Sequence, residues 1–211
     1  MDLSGLLSTL KTWLTRIYSR LGFGKIEDIQ SHSTHGLTET VYWFESDSKM
    51  LGHCTPFNTI LMNRKPMQKL SEDVSNYVFL HELGHTQPHF LLRMFFYLLM
   101  IPIGLFALFS PFVAIGQTVG TLIRTGSLYL TAVNLVAGIT VVLIAVIPFS
   151  VLSWIDEGYA ELFYLNRVGE QEYLQVSEEI SETADRSRLR RIFHKLRYPP
   201  PRFVIWVSKN I

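Results

Sequence analysis

The chain has 211 residues and a formal net charge of +1, which argues against a nucleic-acid-binding surface. Its single cysteine, Cys54, excludes an intramolecular disulfide and suits a reducing compartment. The positive mean hydropathy of +0.20 indicates that apolar residues are concentrated in one region, and they are, between Leu91 and Ile155.

Residues 1–21 are predicted to form an amphipathic helix, because their apolar residues recur at steps of three and four. Two interpretations remain open for this segment. It could lie on a membrane surface with Trp13 at headgroup depth, or it could pack on the core of its own domain. The apolar residues are Leu3, Leu6, Leu7, Leu10, Trp13, Leu14, Ile17 and Leu21.

Residues 22–90 are predicted to contain a connecting segment, two strands and a helix. Gly22–Gly36 is polar and rich in turn formers, which predicts a connection. Leu37–Phe44 and Phe57–Met62 have the composition of strands. A helix is expected from Ser71 onward, with acidic residues in its first turn, and Pro88 is expected to break it.

Residues 91–155 are predicted to form a transmembrane hairpin. Met94–Gly116 has no charged residue and Leu128–Ile155 repeats the pattern, so each could cross a hydrocarbon core of about 30 Å. Gln117–Ser127 is the expected polar turn. Asn134 is the one strongly polar side chain near mid-depth, so a channel or pump is not indicated.

The positive-inside rule places both flanks of the predicted hairpin in the cytoplasm. The turn between the two spans offers only Arg124, whereas basic residues are frequent on either side. These flanking residues are Arg64, Lys65, Lys69, Arg93, Arg186, Arg188, Arg190, Arg191, Lys195 and Arg197.

Residues 156–211 are charged and helix-like as far as about Lys195. Three consecutive prolines, at positions 199–201, then end the helical pattern. The last apolar run, Phe203–Val207, is predicted to be a terminal strand.

Residues 81–85, His-Glu-Leu-Gly-His, form the H-E-x-x-H pattern. Positions four apart share one face of a helix, so His81 and His85 can reach one ion while Glu82 lies beside them as base for a bound water. Zn²⁺ accepts imidazole nitrogen and carboxylate oxygen, and a catalytic zinc site needs a third protein ligand. The pattern therefore predicts a zinc site that lacks one ligand in this segment.

Glu157 is the predicted third ligand. It lies just after the second apolar span, and an antiparallel hairpin would return it to the side from which the histidines left. Glu161 lies one turn later on the same face and could fix the tautomer of a ligating imidazole. Asp156 is predicted to be the N-cap of a helix that begins there. Asp156 and Glu161 remain alternative third ligands.

This arrangement resembles the HtpX and CAAX prenyl protease family of membrane gluzincins. That family has an H-E-x-x-H helix, a hydrophobic hairpin and a third-ligand glutamate in E-x-x-A-D. The counterpart here is residues 157–161, Glu-Gly-Tyr-Ala-Glu, in which Glu161 replaces the family's aspartate. Pro56–Asn63 resembles the family's strand ahead of the metal helix, and residues 198–202 faintly resemble its C-terminal motif. The similarity covers about residues 56–165.

The sequence therefore predicts a mainly α membrane protein whose zincin-like α+β catalytic domain is split by a two-helix transmembrane hairpin. The expected domains are an amphipathic helix (1–21), the first catalytic part (22–90), the hairpin (91–155) and the second catalytic part (156–211). The catalytic domain is expected on the cytoplasmic side.

The expected function is that of a zinc metalloendopeptidase, with zinc and Glu82 activating water against a peptide carbonyl. The family resemblance implies that the substrates are misfolded or membrane-proximal polypeptides. If Phe57–Met62 is an edge strand, a substrate could add to it in extended form. His194, Tyr159 and Arg202 are candidates for stabilising the oxyanion.

Two alternatives remain at this point. One is a non-catalytic membrane protein with a structural metal site, although such a site has no need of Glu82. The other is a site-two-type intramembrane protease, although the segment from Ser71 to His85 is too polar for a membrane interior. The other histidines, His32, His35, His53, His89 and His194, have no ligand-like spacing.

Overall fold

The computed structural model describes residues 3–88, 90–183 and 188–211. His89 and Arg186, both considered in the sequence analysis, lie outside these residues. The chain divides into two compact units, which we call the sheet unit (Met1–Met94 with Asp156–Ile211) and the apolar unit (Phe95–Ile155). The described residues are mostly helical, with one small sheet and two long apolar helices.

The sheet unit begins with helix α1 (Leu3–Gly22) and a four-stranded sheet. The strands are β1 (Ile26–Thr34), β2 (Leu37–Phe44), β3 (Gly52–Cys54) and β4 (Ile60–Asn63). Their spatial order is β1-β2-β4-β3, in which β2 and β4 run parallel and the other two pairs run antiparallel. Strand β2 has the predicted bounds.

The prediction that Gly22–Gly36 is a connection is wrong, because residues 26–34 form β1. This strand has polar, mostly exposed side chains, so its sequence carries no apolar alternation. It is paired with β2 through the two-residue turn at His35 and Gly36, both of which have positive φ. Backbone pairing and turn geometry specify this strand, and side-chain burial contributes little.

Two helices follow the sheet, α2 (Arg64–Met67) and α3 (Glu72–Thr86). The Ser71 hydroxyl caps α3 by accepting a hydrogen bond from the Val74 N–H at 3.3 Å, and acidic residues occupy the first turn as predicted. The helix ends two residues before Pro88, where the break was expected. One face of α3 is buried in the main core with β4 through apolar residues that include Ile60, Met62, Phe79, Leu80 and Leu83.

The long helices are α4 (Phe90–Thr125) and α5 (Leu128–Val168), and each contributes residues to both units. No helix begins at Asp156, so its predicted role as an N-cap is wrong. The sequence has no breaker between Ile155 and Glu157, and α5 continues until Gly169, whose positive φ ends it. The predicted turn Gln117–Ser127 is also shorter than expected, since α4 extends to Thr125.

The sheet unit ends with α6 (Glu170–Thr183), α7 (Arg188–Arg197) and α8 (Pro201–Asn210). The prediction of a strand at Phe203–Val207 is wrong, because these residues lie in α8. Pro201 is at the first turn of this helix, a position that suits its fixed φ and missing N–H. Helix α8 buries Val204 and Ile205 in the main core.

The apolar unit consists of parts of α4 and α5. Both helices are long and apolar enough to cross a membrane, because an 18-residue stretch has a mean hydropathy of 2.4 in Phe95–Thr125 and of 2.7 in Leu128–Val168. Gly138 lies against Ala114 and Gly104 lies against the Phe149 ring, so glycine permits close contact at both positions. Most of their large apolar side chains are exposed, unlike those of a soluble core helix.

Candidate metal centre

Helix α3 places His81 and His85 on one face, one turn apart. Both residues are buried, each only 6% exposed, and their rings are nearly perpendicular with centroids 4.9 Å apart. The four-residue step brings the two Nε2 atoms to the same side of the helix.

Helix α5 brings Glu157 to both histidines. Glu157 Oε2 lies 3.2 Å from His81 Nε2 and 3.5 Å from His85 Nε2, and Glu157 is itself 2% exposed. The three residues form a buried group whose ligand atoms all lie within 4.8 Å of one another. The predicted ligands therefore converge across about 70 residues of intervening chain.

The geometry of these three atoms fits a metal ion. In a tetrahedral site with bonds of about 2.0–2.1 Å, two ligand atoms lie about 3.3–3.4 Å apart, which agrees with the two measured distances. Two imidazole nitrogens and one carboxylate oxygen suit several divalent first-row metals. The group could therefore hold a metal ion, with one tetrahedral position left for another ligand.

The other side of each imidazole faces a further carboxylate. His81 Nδ1 lies 3.2 Å from Glu161 Oε1, and His85 Nδ1 lies 3.4 Å from Asp156 Oδ1. Both Nδ1 atoms are buried, and among the described residues neither makes a hydrogen bond with adequate alignment, so these contacts are ion pairs by distance alone. Metal-binding histidines commonly orient in this way against a carboxylate.

Glu161 is held by tyrosines that the sequence analysis did not identify. The Tyr77 hydroxyl, one turn before His81 on α3, donates a hydrogen bond of 2.5 Å to Glu161 Oε1. Tyr173 of α6 also hydrogen-bonds this carboxylate, which is buried. The four-residue spacing of Tyr77 and His81 was the available signal, because it places the phenol on the histidine face of α3.

Arg197 also contacts the centre, through Glu157, and the sequence did not predict this contact. Its Nε and Nη2 atoms each lie 2.8 Å from Glu157 Oε1. One carboxylate oxygen of Glu157 thus faces the histidines and the other accepts from a guanidinium. Arg197 immediately precedes the Tyr-Pro-Pro run noted in the sequence, but no spacing rule connects it with Glu157 across 40 residues.

The buried charges shift one another's pKa values. Burial lowers the pKa of His81, but its contacts with Glu157 and Glu161 outweigh burial and hold that pKa well above the ordinary value. Burial raises the pKa of Glu157, but the two histidines hold it well below the ordinary value. Without a metal, the centre therefore pairs protonated imidazole with ionised carboxylate.

Glu82 lies on α3 and faces the edge strand β3. It is half-buried, and a Cβ on Gly52 would come within 2.9 Å of Glu82 Cγ. Burial raises the pKa of Tyr198, and the charges of Glu157 and Glu82 raise it further. The Glu82 and Glu157 carboxylates thus both act electrostatically on the Tyr198 hydroxyl.

Tyr198 and His194 lie close to the metal centre, whereas Tyr159 and Arg202, the other two residues that the sequence suggested for an oxyanion, do not. The Tyr198 ring lies 6.4 Å from that of His81 and 4.5 Å from that of His194, which stacks on it. Tyr159 and Arg202 are exposed and make no described contact with the histidines or Glu157.

Comparison of this chain with family models, curated proteins and solved structures found no match.

Proposed function

We propose that this chain is a zinc-dependent endopeptidase anchored in a membrane, with its metal centre on the cytoplasmic side. The observation that carries the proposal is the buried group of His81, His85 and Glu157, which offers three ligands, together with Glu82 directly after His81 on α3. A purely structural zinc site is usually closed by four protein ligands, whereas a catalytic site keeps a position for water or substrate.

In the proposed reaction, His81, His85 and Glu157 would hold zinc, which would supply a Lewis acid for the peptide carbonyl and would lower the pKa of water so that a hydroxide nucleophile is available. Glu82 accepts a proton from the attacking water and transfers it to the nitrogen of the breaking C–N bond, so that the amine leaves neutral. Arg197 holds Glu157 in position through two donors. The Tyr198 phenol, whose pKa is raised, remains protonated and donates toward the developing oxyanion.

The proposed substrate is an extended polypeptide that is misfolded or close to the membrane. From the sequence, a substrate was expected to add to Phe57–Met62. The strand in this region is β4, which lies between β2 and β3 and has no open edge. Strand β3 is at the edge of the sheet, and its Gly52 contacts Glu82. We therefore place the substrate backbone along β3, where main-chain pairing tolerates many sequences.

The proposed architecture is a zincin-like α+β domain split by a transmembrane hairpin. Exposed apolar surfaces on two long helices and the excess of basic residues outside the hairpin support this placement. The histidines lie on α3, which is separate from the two apolar helices. This favours cleavage at the membrane surface over cleavage within the membrane. This interpretation also agrees with the family resemblance of residues 81–85 and 157–161.

The test is to measure zinc content and proteolysis of the full chain in detergent or nanodiscs. We expect about one zinc per chain, and Glu82→Gln should keep the zinc while losing at least about 10²-fold in cleavage of an unfolded protein. The exposed Glu39→Gln variant is the matched control. Bound zinc without cleavage by the parental protein would favour a structural site, and absence of any bound metal would refute the proposal.

A further inference from the structure

Helix α1 packs on the sheet unit through its polar face. Thr15 and Ser19 are fully buried, and the Thr15 hydroxyl lies 2.9 Å from that of Thr59. Thr12 bonds the hydroxyl of Tyr42 at 3.0 Å. These contacts fix the rotation of the helix about its axis.

The opposite face of α1 is apolar and exposed. We call it the outer stripe, and its side chains are between 39% and 84% exposed. In a helix that packs on the core of a soluble domain, such a stripe would be the buried face, so α1 is inverted relative to that arrangement. The outer stripe consists of Leu6, Leu7, Leu10, Trp13, Ile17 and Leu21.

Basic residues lie beside the outer stripe. Arg16, Arg20 and Lys25 line a cleft of about 290 Å³ together with Ile26 and Glu27. None of the three cations forms an ion pair in the described part of the chain, so they are available to an anionic partner. The cleft thus carries a net positive charge next to an apolar surface.

We propose that α1 lies in the headgroup region of a bilayer that contains anionic phospholipid. The outer stripe would enter the acyl boundary, and Arg16, Arg20 and Lys25 would contact lipid phosphates. An apolar face with basic residues at its border and a tryptophan within it is the pattern of an interfacial helix. A second copy of the chain would have to bring its own cations against this border, which disfavours a dimer.

This inference rests on the membrane placement in the proposed function, because that placement brings a bilayer to the chain. It adds a second attachment, located on the sheet unit itself. Lys11 Nζ donates to the Asn58 carbonyl at 3.2 Å, and the Asn58 amide donates to the carbonyls of Thr86 and Pro88 at the end of α3. Asn58 thus connects α3 to α1. An α1 bound to the bilayer would therefore hold the metal centre at the membrane surface, close to membrane-proximal substrates.

The experiment uses the full chain in nanodiscs of phosphatidylcholine with phosphatidylglycerol. Single cysteines for a nitroxide label are placed at Leu10 and Ile17 in the outer stripe, at the exposed residue Glu39 of β2 and at Ile115 in the apolar unit, all with Cys54→Ala. Accessibility to oxygen, which is soluble in lipid, is compared with that to a water-soluble nickel chelate. We expect the Leu10 and Ile17 labels to favour oxygen as Ile115 does, and the Glu39 label to favour nickel.

The outcomes separate this proposal from the proposed function. If Leu10 and Ile17 resemble Glu39 while Ile115 favours oxygen, the hairpin stands and the proposal for α1 is wrong. If the Ile115 label also favours nickel, the membrane placement is wrong, and the proposal for α1, which rests on it, is wrong as well. Spin–spin broadening at Leu10 that disappears on dilution with unlabelled chain would show that a second copy covers the stripe, which also overturns the proposal.

A second measurement avoids the Cys54 substitution. The fluorescence of Trp13, obtained as the difference between the parental chain and Trp13→Phe, should be quenched by brominated lipid. Arg16→Gln with Arg20→Gln should reduce this quenching in discs with phosphatidylglycerol and leave it unchanged in pure phosphatidylcholine. Equal behaviour in both discs would exclude the anionic headgroup as partner, and absence of quenching would remove α1 from the bilayer.

Discussion

Gly84 lies directly against the backbone of Ala160, so that a Cβ at Gly84 would come within 2.8 Å of the Ala160 Cα. This contact lets α3 and α5 approach closely enough for Glu157 to reach both histidines. Gly84, which directly precedes the second histidine of the motif, thus helps to determine the position of Glu157 on another helix.

Gly84→Ala should therefore destabilise the sheet unit and disturb the metal centre. The new methyl group meets backbone, which cannot rotate away, and overpacking of this kind costs about 1–3 kcal/mol. Thermal unfolding and metal content of the purified variant measure both effects. Gly158→Ala is the control on α5, because its Cβ would meet only Pro199 at an ordinary 3.6 Å. Unfolding and metal content equal to those of the control would show that the helices can separate without loss.

Gly52→Ala should reduce turnover and leave the metal bound. Its Cβ would come within 2.9 Å of Glu82 Cγ and 3.0 Å of Val78, so the Glu82 side chain must move. A displacement of about 1 Å in a catalytic group can cost roughly 10²-fold in rate. Peptide cleavage with parallel metal analysis separates the two effects. Gly120→Ala, which has open space around it, should behave as the parental chain, and parental activity in Gly52→Ala would argue against Glu82 as the base.

Arg197→Gln should weaken metal binding, because Glu157 loses the two donors that fix its Oε1. Loss of a group that orients a ligand typically costs about 10–100-fold in metal affinity. Competition with a chromogenic chelator gives the affinity, and Arg202→Gln serves as an exposed arginine control. Removing a cation from the neighbourhood of a metal also has the opposite electrostatic effect. An affinity that rises would show that this repulsion exceeds the positioning role.

Metal binding should release protons and strengthen as the pH rises. The pKa values of His81 and His85 are raised in the metal-free protein, so their imidazoles keep a proton to higher pH than ordinary histidines, and metal ligation must remove it. The pKa of Glu157 is lowered, so this carboxylate is already ionised and releases none. Calorimetry in two buffers of different protonation enthalpy should give about one to two protons released per metal. An affinity that does not change between about pH 6 and 8, where binding must compete with protonation of the imidazoles, would contradict this assignment.

Cysteine labelling from outside the cell tests the proposed topology. Arg124→Cys, at the end of α4, should react with a reagent that does not cross membranes, whereas Lys65→Cys should not. Both variants are made with Cys54→Ala. The reverse pattern would invert the orientation, and equal reaction of both would remove the hairpin from the membrane.

The site was accessible from sequence where helical spacing determines it. His81, Glu82 and His85 share a helix, and the position of Glu157 after an even number of apolar spans restricts where it can lie. Arg197 could not be found in this way, because its partner is 40 residues away and neither spacing nor periodicity relates them. Tyr77 was within reach, since it lies one turn from His81.

The fold predictions that were wrong have a common physical origin. They concern segments in which the local sequence pattern does not determine the secondary structure. Strand β1 is specified by pairing with β2 and has no apolar face of its own. Phe203–Val207 has the composition of a strand, but Pro201 begins a helix and the core accepts Val204 from it. At Asp156 the change from apolar to charged residues was interpreted as a helix boundary, although a change of environment does not interrupt the backbone of α5.

The separation of the ligands in the chain also has a consequence in time. The histidines of α3 are synthesised about 70 residues before Glu157. At about 5–20 residues per second this amounts to roughly 4–14 seconds of translation. A nascent chain at that stage offers two imidazoles and lacks the carboxylate, so the group of His81, His85 and Glu157 cannot yet form. The proposed metal site could therefore be completed only after this part of α5 has been synthesised.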